Sequence, residues 1–261
     1  MPLTAFQAEI VRLIRTNRTP DSYLAGGAAI HLEPNTVRYS HDLDYFHDTP
    51  ERVASAYEAD RRCLVGEGFE VELKLQQRGF SRAIVRRGEE ATKIEWAYDS
   101  AWRFLPVIED PVVGFRLHPI DLAINKLLAL VGRDKARDFI DIMQMHRSTL
   151  VLGALCWAAT GKDPGLAPGI LMSLLRRRGR YRPEEFEAVE LTEPIDLPTL
   201  KVEWLDALDA AEAFVAARPT EEMGCLYWSA ARGCFVDPDA SGISDAVPHF
   251  GRPGGVLPSV V

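Results

Sequence analysis

Hydrophobic and polar residues alternate with a period of two in several segments of the first hundred residues. This alternation predicts half-buried strands at 37–46, 69–77, 80–87 and 91–98. Segment 48–68 is predicted to be a helix, because Thr49 can cap it, Pro50 suits its first turn and glycines end it. Segment 2–17 has the periodicity of an amphipathic helix, and 23–32 is typical of a short buried strand, a Gly-Gly turn and a helical turn.

Helical periodicity dominates after Pro111. It predicts helices at 120–132, 135–147, 149–160, 167–178 and 199–217. The last part contains a candidate hairpin at 225–236 and a segment at 237–261 that is rich in Gly, Pro and Ser, which predicts a strap or a disordered tail.

The order of these elements predicts an α+β chain in three parts. An α/β unit at residues 1–110 is followed by a helical domain at 111–217, with the boundary near 106–117. A small hairpin and a Gly/Pro-rich tail occupy 218–261. We find no internal repeats in the sequence.

The strand predicted at 37–46 carries two acids on one face. Its even positions include Ser40, Asp42 and Asp44, whereas its odd positions are mostly apolar. Residues two apart on a strand point the same way with Cα atoms about 6.6 Å apart, so both carboxylates can reach one cation or bridge two. This arrangement suits Mg²⁺, although an acidic strand facing solvent would show the same pattern.

A third carboxylate lies on a later strand. Within 91–98 the alternation places Lys93, Glu95 and Ala97 on one face. If this strand lies beside the first, Glu95 stands next to Asp42 and Asp44. Carboxylates packed so closely repel one another unless a cation neutralises them or one stays protonated, and we favour the cation.

The Gly26-Gly27 pair falls between a predicted strand and a helical turn. Glycine lets the backbone approach a ligand, and the amides at the start of a helix can bind phosphate. A tight turn without a ligand would use the same residues. Ser40 is similarly open to two interpretations, a hydroxyl that binds phosphate or one that solvates the strand.

Lys126 is predicted to emerge from an apolar helix face, since its neighbours three and four positions away are all apolar. Its ammonium either extends along its stem to water or points at a phosphate in a cleft between the two domains. In the next helix, Arg137, Asp138 and Asp141 either form an intrahelical ion pair with a solvated acid or line the same cleft.

Five arginines are concentrated in 176-RRRGRYR-182: Arg176, Arg177, Arg178, Arg180 and Arg182. Such a patch is a candidate contact for RNA phosphates, with Tyr181 available for stacking on a base. Alternatively, these charges complement the carboxyl end of a helix.

Composition narrows the choice of partner and compartment. The 261 residues include 30 Lys and Arg against 38 Asp and Glu, a net charge of −8, so contact with a nucleic acid requires a local basic patch. The four cysteines show no C-x-x-C pair and no zinc-ligand spacing, which favours free thiols in a reducing compartment. We find neither a signal peptide nor an apolar run of membrane-spanning length, so we expect a cytoplasmic protein without a membrane partner.

Several motifs, taken in order, resemble the AbiEii-type nucleotidyltransferases, a bacterial toxin family that includes the MenT-like toxins. These motifs are 26-GGAAIHL-32, 38-RYSHDLDYF-46, the acid on a later strand and 121-DLAINKLLALVGRDKARDFIDI-142. The family pattern is a Gly-Gly, an R-x-S-x-D-L-D-Y/F-F strand, a D-L-x-x-x-K-x-x-A-L helix and an R-D-x-x-D helix. The resemblance covers residues 20–145.

This resemblance implies a DNA polymerase β-like nucleotidyltransferase core with a mixed sheet, followed by a helical domain. It implies transfer of a nucleoside monophosphate from an NTP to an acceptor hydroxyl, in several members at the tRNA 3′ end, with Mg²⁺ as cofactor and a possible cognate antitoxin as partner. The roles that it implies are triphosphate binding at Gly26 and Gly27 with help from Ser40, metal binding at Asp42, Asp44 and Glu95, and nucleotide contacts at Lys126, Asp138 and Asp141.

In such a site, positioned cations supply much of the catalysis, because charge spreads over phosphate oxygens in the transition state. Glu95 is expected to ligate a second ion and help deprotonate the acceptor, and Lys126 to neutralise the leaving pyrophosphate. One alternative is a non-catalytic module that binds a nucleotide or a partner. Another is a metal-dependent phosphohydrolase that uses the dipeptides His41-Asp42 and His47-Asp48.

Overall fold

The computed structural model describes residues 3–32 and 36–258. By its internal contacts the chain divides into two compact units. Of the described residues, the first unit comprises those up to His118 together with Pro253–Gly255. The second unit comprises Pro119–Arg252 and residues 256–258. The three-part division at residues 110 and 217 stays a prediction.

The first unit is built on a mixed sheet. Its helices are α1 (Ala5–Ile14), α2 (Gly26–Ile30) and α3 (Pro50–Gly66), and its strands are β1 (Ser22–Ala25), β2 (Asp42–His47), β3 (Glu70–Gln77), β4 (Phe80–Arg87), β5 (Glu90–Tyr98), β6 (Trp102–Arg103), β7 (Ile108–Asp110) and β8 (Gly114–Arg116). Seven strands form one sheet in the order β3-β4-β5-β2-β1-β8-β7. Because β2 is antiparallel to β1 but parallel to β5, the sheet is mixed and the predicted α+β class is confirmed.

The core of this unit lies on one face of the sheet. Helix α3 packs on β4 and β5, and its first turn is capped by the Thr49 side chain as predicted, through a hydrogen bond from the Arg52 amide. In β2, Leu43, Tyr45 and His47 point into this core, while Asp42 and Asp44 lie on the opposite face and are half-buried. The alternation read from the sequence therefore holds within this strand.

The strand predicted at 37–46 begins only at Asp42, so the prediction of a strand at residues 37–41 was wrong. In residues 37–41 the alternation is reversed, because Arg38 and Ser40 are buried while Tyr39 is 38% exposed. The segment is fixed by side chains from elsewhere in the unit: Gln7 donates a hydrogen bond to the Ser40 carbonyl, and Thr92 donates one to the His41 carbonyl. These bonds take the place of a strand ladder.

The second unit is mainly helical. Its elements are α4 (Pro119–Arg133), α5 (Ala136–Ser148), α6 (Leu152–Lys162), α7 (Pro168–Leu175), α8 (Pro183–Glu187), α9 (Leu197–Ala216), β9 (Cys225–Ser229), β10 (Cys234–Phe235) and β11 (Ala246–Phe250), and β12 (Arg252–Pro253) follows. Helix α4 packs on α5 and α6, and α6 packs on α9. None of the helices in residues 3–32 and 36–258 has the length and apolar character needed to span a bilayer.

The C-terminal segment departs from its prediction. The hairpin at 225–236 is present as β9 and β10, but residues 246–250 are not a strap or tail, since β11 pairs with β9 over its full length. Asp245 fixes the start of β11 by accepting hydrogen bonds from the Ser229 hydroxyl and the Ala231 amide. Pairing partners so far apart in sequence leave no local signal that predicts the strand.

Candidate active site

Two acidic strands lie next to each other in the sheet. The parallel pairing of β2 and β5 sets Asp44 opposite Glu95 and Asp42 opposite Lys93. The side chains of Asp42 and Glu95 are 23% and 17% exposed, so this face is accessible to a small ligand. The predicted neighbourhood of Glu95 and Asp44 is thus present in the register of the sheet.

Lys93 and Arg82 surround the Glu95 carboxylate. Lys93 Nζ lies 2.8 Å from Glu95 Oε1 and 3.0 Å from Asp42 Oδ2, and Arg82 Nε lies 2.8 Å from Glu95 Oε1. Burial would raise the pKa of Glu95, but these two cations outweigh it and hold the pKa below its ordinary value. Likewise, burial would lower the pKa of Lys93, but its bonds to Glu95 and Asp42 raise it.

The expected gathering of three carboxylates differs from the observed arrangement. Within residues 3–32 and 36–258, no group of three or more His, Cys, Asp and Glu side chains is disposed to hold a metal ion. Glu95 accepts hydrogen bonds from Lys93 and Arg82. These two cations therefore relieve the repulsion between carboxylates that we expected a metal ion to relieve. The sequence analysis placed Lys93 on this face but overlooked it as the counter-ion.

Gly26 and Gly27 pack directly against the acidic strand. Gly26 has φ +60°, and a Cβ atom built on it would lie 2.0 Å from Asp44 Oδ2. A Cβ atom on Gly27 would lie 2.7 Å from Ser40 Oγ and 3.0 Å from Arg38 Nη2. The two glycines therefore allow the backbone between β1 and α2 to approach the predicted site residues closely.

We expect Gly26→Ala to lower nucleotidyl transfer, the activity that the sequence resemblance implies, by roughly a hundredfold, because a methyl group there collides with the Asp44 carboxylate and shifts it. Gly88→Ala is a matched control, since Gly88 also has φ +60° but has no atom within 4 Å of the position that a Cβ atom would take. Both variants carry the backbone strain of about 1 kcal/mol, and only Gly26→Ala carries the collision. Equal initial rates for the two variants would contradict a role for this close approach.

Buried polar contacts hold the segment before β2 in place. The Gln7 side chain lies in α1 and reaches the Ser40 carbonyl at 3.1 Å and Thr92 Oγ1 at 3.3 Å. The Ser40 hydroxyl donates to the Asp42 carbonyl at 3.3 Å, and the Arg38 guanidinium donates to the Tyr39 carbonyl at 2.9 Å. Sequence reasoning missed Gln7, because a glutamine in an amphipathic helix gives no signal of a distant partner.

A buried ion pair supports the strands from the opposite face of the sheet. The Asp60 carboxylate on α3 accepts hydrogen bonds from the Trp96 indole at 2.7 Å and from Asn17 at 2.8 Å, and it pairs with Arg18. The Arg18 guanidinium lies over the Tyr45 ring, 4.4 Å from its centroid. These contacts tie α3 to both acidic strands, since Tyr45 is in β2 and Trp96 is in β5.

The two His-Asp dipeptides do not assemble a phosphohydrolase site. His41 is exposed and precedes β2, whereas His47 is fully buried on the face opposite Asp42 and Asp44. Burial, with help from Arg18 and Arg52, lowers the pKa of His47 to about 3, so its imidazole is neutral. Neither histidine belongs to a metal-binding group among the described residues.

In the second unit, Lys126 is buried between two aspartates. Its Nζ lies 3.1 Å from Asp138 Oδ1 and 3.1 Å from Asp141 Oδ2, and its side chain is 7% exposed. The interpretation in which Lys126 extends to water is therefore wrong. The interpretation in which Lys126 contacts a phosphate stays a prediction.

Two cations neutralise the charge of the Asp138 carboxylate. In addition to Lys126, it accepts hydrogen bonds from Arg133 Nε at 2.6 Å and from Arg133 Nη2 at 2.8 Å. Burial would raise the pKa of Asp138, but Arg133 and Lys126 lower it below its ordinary value. The cations that hold Asp138 and Asp141 thus come from α4, and Arg133 was not identified from the sequence.

Some arginines of the arginine-rich segment form ion pairs within the protein, and others are exposed to solvent. Helix α7 ends at Leu175, earlier than predicted, and Arg176 binds Glu212 at 2.8 Å while Arg178 binds Asp134 at 3.0 Å. Arg177, Arg180 and Arg182 are exposed at the surface. Arg177 and Arg180 line a groove of about 560 Å³ with Arg176, over apolar side chains that include Met172 and Val215.

Tyr181 is not available to stack on a base, which corrects the prediction. Its hydroxyl donates to Asp134 Oδ1 at 2.5 Å, and its ring packs on Phe139 and Phe186 with centroids 5.4 and 5.8 Å away. Together with Arg178, it fastens the segment after α7 to the link between α4 and α5. This anchoring role depends on contacts more than 40 residues apart in sequence.

Comparison with known proteins gives matches of two kinds. A family profile described as "Nucleotidyl transferase AbiEii toxin, Type IV TA system" matches residues 11–223. Among solved structures, MenT4, a nucleotidyltransferase toxin from Mycobacterium tuberculosis H37Rv, is similar with a TM-score of 0.52 and 17% identity, covering 83% of each chain. JHP933 from Helicobacter pylori is similar with a TM-score of 0.51 and 17% identity, covering 81% of this chain and 91% of that chain. No curated protein matches the sequence.

Proposed function

Since this chain belongs to the family of AbiEii nucleotidyltransferase toxins, we propose that it moves a nucleoside monophosphate from an NTP to the 3′ end of a tRNA, using Mg²⁺ held by Asp42 and Asp44. Nucleotidyl transfer from an NTP follows from the family, and the acceptor and the metal are our proposals. The observation that carries the metal proposal is the pair of half-buried aspartates on one strand face, of which Asp44 packs against the Gly26 backbone. The proposal for the acceptor rests on the exposed arginines Arg177, Arg180 and Arg182.

The residues of this face fit a divalent cation. Two carboxylates at i and i+2 of a strand supply the hard oxygen ligands that Mg²⁺ prefers. Lys93 binds one of them, so this face already accommodates a positive charge. When bound, Mg²⁺ would neutralise phosphate charge and align the triphosphate for attack.

The remaining roles are the ones that the family implies, proposed here for the residues of this chain. The backbone at Gly26 and Gly27, with the Ser40 hydroxyl, would hold the triphosphate beside Asp44. Lys126 would bind a phosphate oxygen in exchange for one of its two carboxylates, while Arg133 keeps Asp138 compensated. The Asp138 and Asp141 pair would position this lysine. Glu95, kept ionised by Lys93 and Arg82, would orient the acceptor hydroxyl by accepting a hydrogen bond from it.

The acceptor would reach the protein through the accessible part of the arginine-rich segment. Arg177 and Arg180 line the groove beside α9, and Arg182 follows them at the surface. On a chain with net charge −8, an RNA contact needs such a local patch. Arg176 and Arg178 would contribute less, because each is bound to an acidic side chain of the protein.

We expect Arg177→Ala/Arg180→Ala to raise the KM for tRNA roughly tenfold at low salt, with the KM for NTP unchanged, because the variant loses phosphate contacts and no part of the carboxylate site. The slope of log affinity against log salt should become shallower by about 2. Arg62→Ala/Arg78→Ala removes the same charge from exposed positions of the first unit and is the control. A KM for tRNA equal to that of the parent would refute this contact.

The proposed function is tested by incubating the full chain with Mg²⁺, total tRNA and each NTP, labelled at the α- or γ-phosphate. Transfer predicts α-label in RNA, released pyrophosphate and no label on tRNA whose 3′ terminal diol has been oxidised with periodate. Release of inorganic phosphate without label in RNA would instead indicate hydrolysis. Nucleotide binding without turnover would indicate a non-catalytic module. The toxin family also implies a cognate antitoxin as partner.

A further inference from the structure

A side chain of the protein already occupies a cation position on the acidic face. Lys93 Nζ lies 3.0 Å from Asp42 Oδ2 and 2.8 Å from Glu95 Oε1. Lys93 sits opposite Asp42 in the register of β2 and β5, and Glu95 follows two residues later on the same face. The ammonium is therefore positioned by the sheet and not by a loop.

From this arrangement we infer that Lys93 takes the place of the second cation of a two-ion site, so that Asp42 and Asp44 bind a single divalent cation. Lys93 would then set both the number of ions that the site holds and the affinity for the one that binds. This inference rests on the proposed function, because it concerns the same carboxylates. Lys93 acts here as a positioning residue, through the carboxylates that it contacts.

The geometry favours this role because a two-ion site needs carboxylates that bridge cations about 3.5–4 Å apart. Asp42 and Glu95 are the residues that would have to ligate the second ion, and the Lys93 ammonium contacts both. Arg82 holds Glu95 from the neighbouring strand, which further opposes its turning towards a metal.

The charges lead to the same expectation. Asp42, Asp44 and Glu95 are acidic residues of neighbouring strands, and Lys93 contributes a positive charge that contacts two of them. Replacing Lys93 with an uncharged residue of similar length removes one positive charge from this face and removes the ammonium contacts to Asp42 and Glu95, while Arg82 stays bound to Glu95. A face altered in this way should attract divalent cations more strongly.

The test measures Mn²⁺ binding to the full chain by electron paramagnetic resonance and calorimetry, with Mn²⁺ alone and no nucleotide. We expect one Mn²⁺ per chain for the parent. Lys93→Met should bind a second ion or bind the first about tenfold more tightly. Lys93→Arg, which keeps the charge, should match the parent. Lys74→Met is the control, since Lys74 is an exposed lysine of β3 that pairs with Glu72.

Two Mn²⁺ ions bound by the parent, or unchanged stoichiometry and affinity in Lys93→Met, would overturn the inference. Circular dichroism checks folding, and Lys93→Gln replaces the Met variant if that variant does not fold. Metal-dependent transfer by the parent together with unchanged Mn²⁺ binding by Lys93→Met would contradict this inference but not the proposed function. Absence of both Mn²⁺ binding and transfer in the parent would sink the proposed function as well.

Discussion

Asp44→Asn is expected to lower kcat/KM for nucleotidyl transfer by about a thousandfold or more, equivalent to about 4 kcal/mol of transition-state stabilisation. The substitution keeps the shape of the side chain and removes the charge that faces Gly26 and stands opposite Glu95. The measurement is single-turnover transfer of α-labelled nucleotide to tRNA, together with the thermal midpoint of the variant.

We expect the thermal midpoint of Asp44→Asn to stay near that of the parent, because the half-buried side chain keeps its shape. Glu90→Gln is the matched control, since Glu90 is exposed at the start of β5 and does not share the face of β5 that carries Lys93 and Glu95. Transfer by Asp44→Asn at the rate of the parent would show that the strand aspartates are not the active centre.

Lys126→Met is expected to destabilise the chain by about 3 kcal/mol, because it leaves the buried Asp138 and Asp141 carboxylates without the ammonium between them. Urea unfolding of the full chain measures this loss. The double variant Lys126→Met/Asp141→Asn should recover at least half of it, since it removes one of the two carboxylates together with the cation that they share. Lys201→Met, at an exposed position of α9, is the control for the loss of a lysine.

The pH dependence of this effect has a definite sign. The pKa of Asp138 is held below its ordinary value in the folded chain, so its pairing contributes stability above the unfolded pKa of about 4. That contribution disappears as the pH falls through the folded pKa. The stability difference between the parent and Lys126→Met should therefore be full at neutral pH and narrow only in acid. A Lys126→Met variant as stable as the parent at pH 7 would exclude a structural role for this lysine.

The positions of the elements could mostly be predicted because each helix and strand carries local signals. Thr49 and Pro50 begin α3 as their chemistry predicts, and the alternation in β5 correctly placed Lys93 and Glu95 on one face. Local signals failed where distant partners supply the hydrogen bonds. Gln7 and Thr92 hold residues 37–41 out of a strand, and β9 draws residues 246–250 into one.

For this protein, the sequence alone determined the local position of each feature of the candidate site. It placed the two aspartates on one face of β2, the Gly-Gly pair after β1, and the glutamate on one face of β5. Tertiary structure alone decided which of these faces meet and which charges are neutralised. Residues 42–47 and 90–98 are adjacent only because β2 and β5 pair in parallel. The ion pairs of Lys93 with Asp42, Lys126 with Asp138 and Arg178 with Asp134 likewise depend on elements brought together by folding, since a charge in the sequence does not specify its partner.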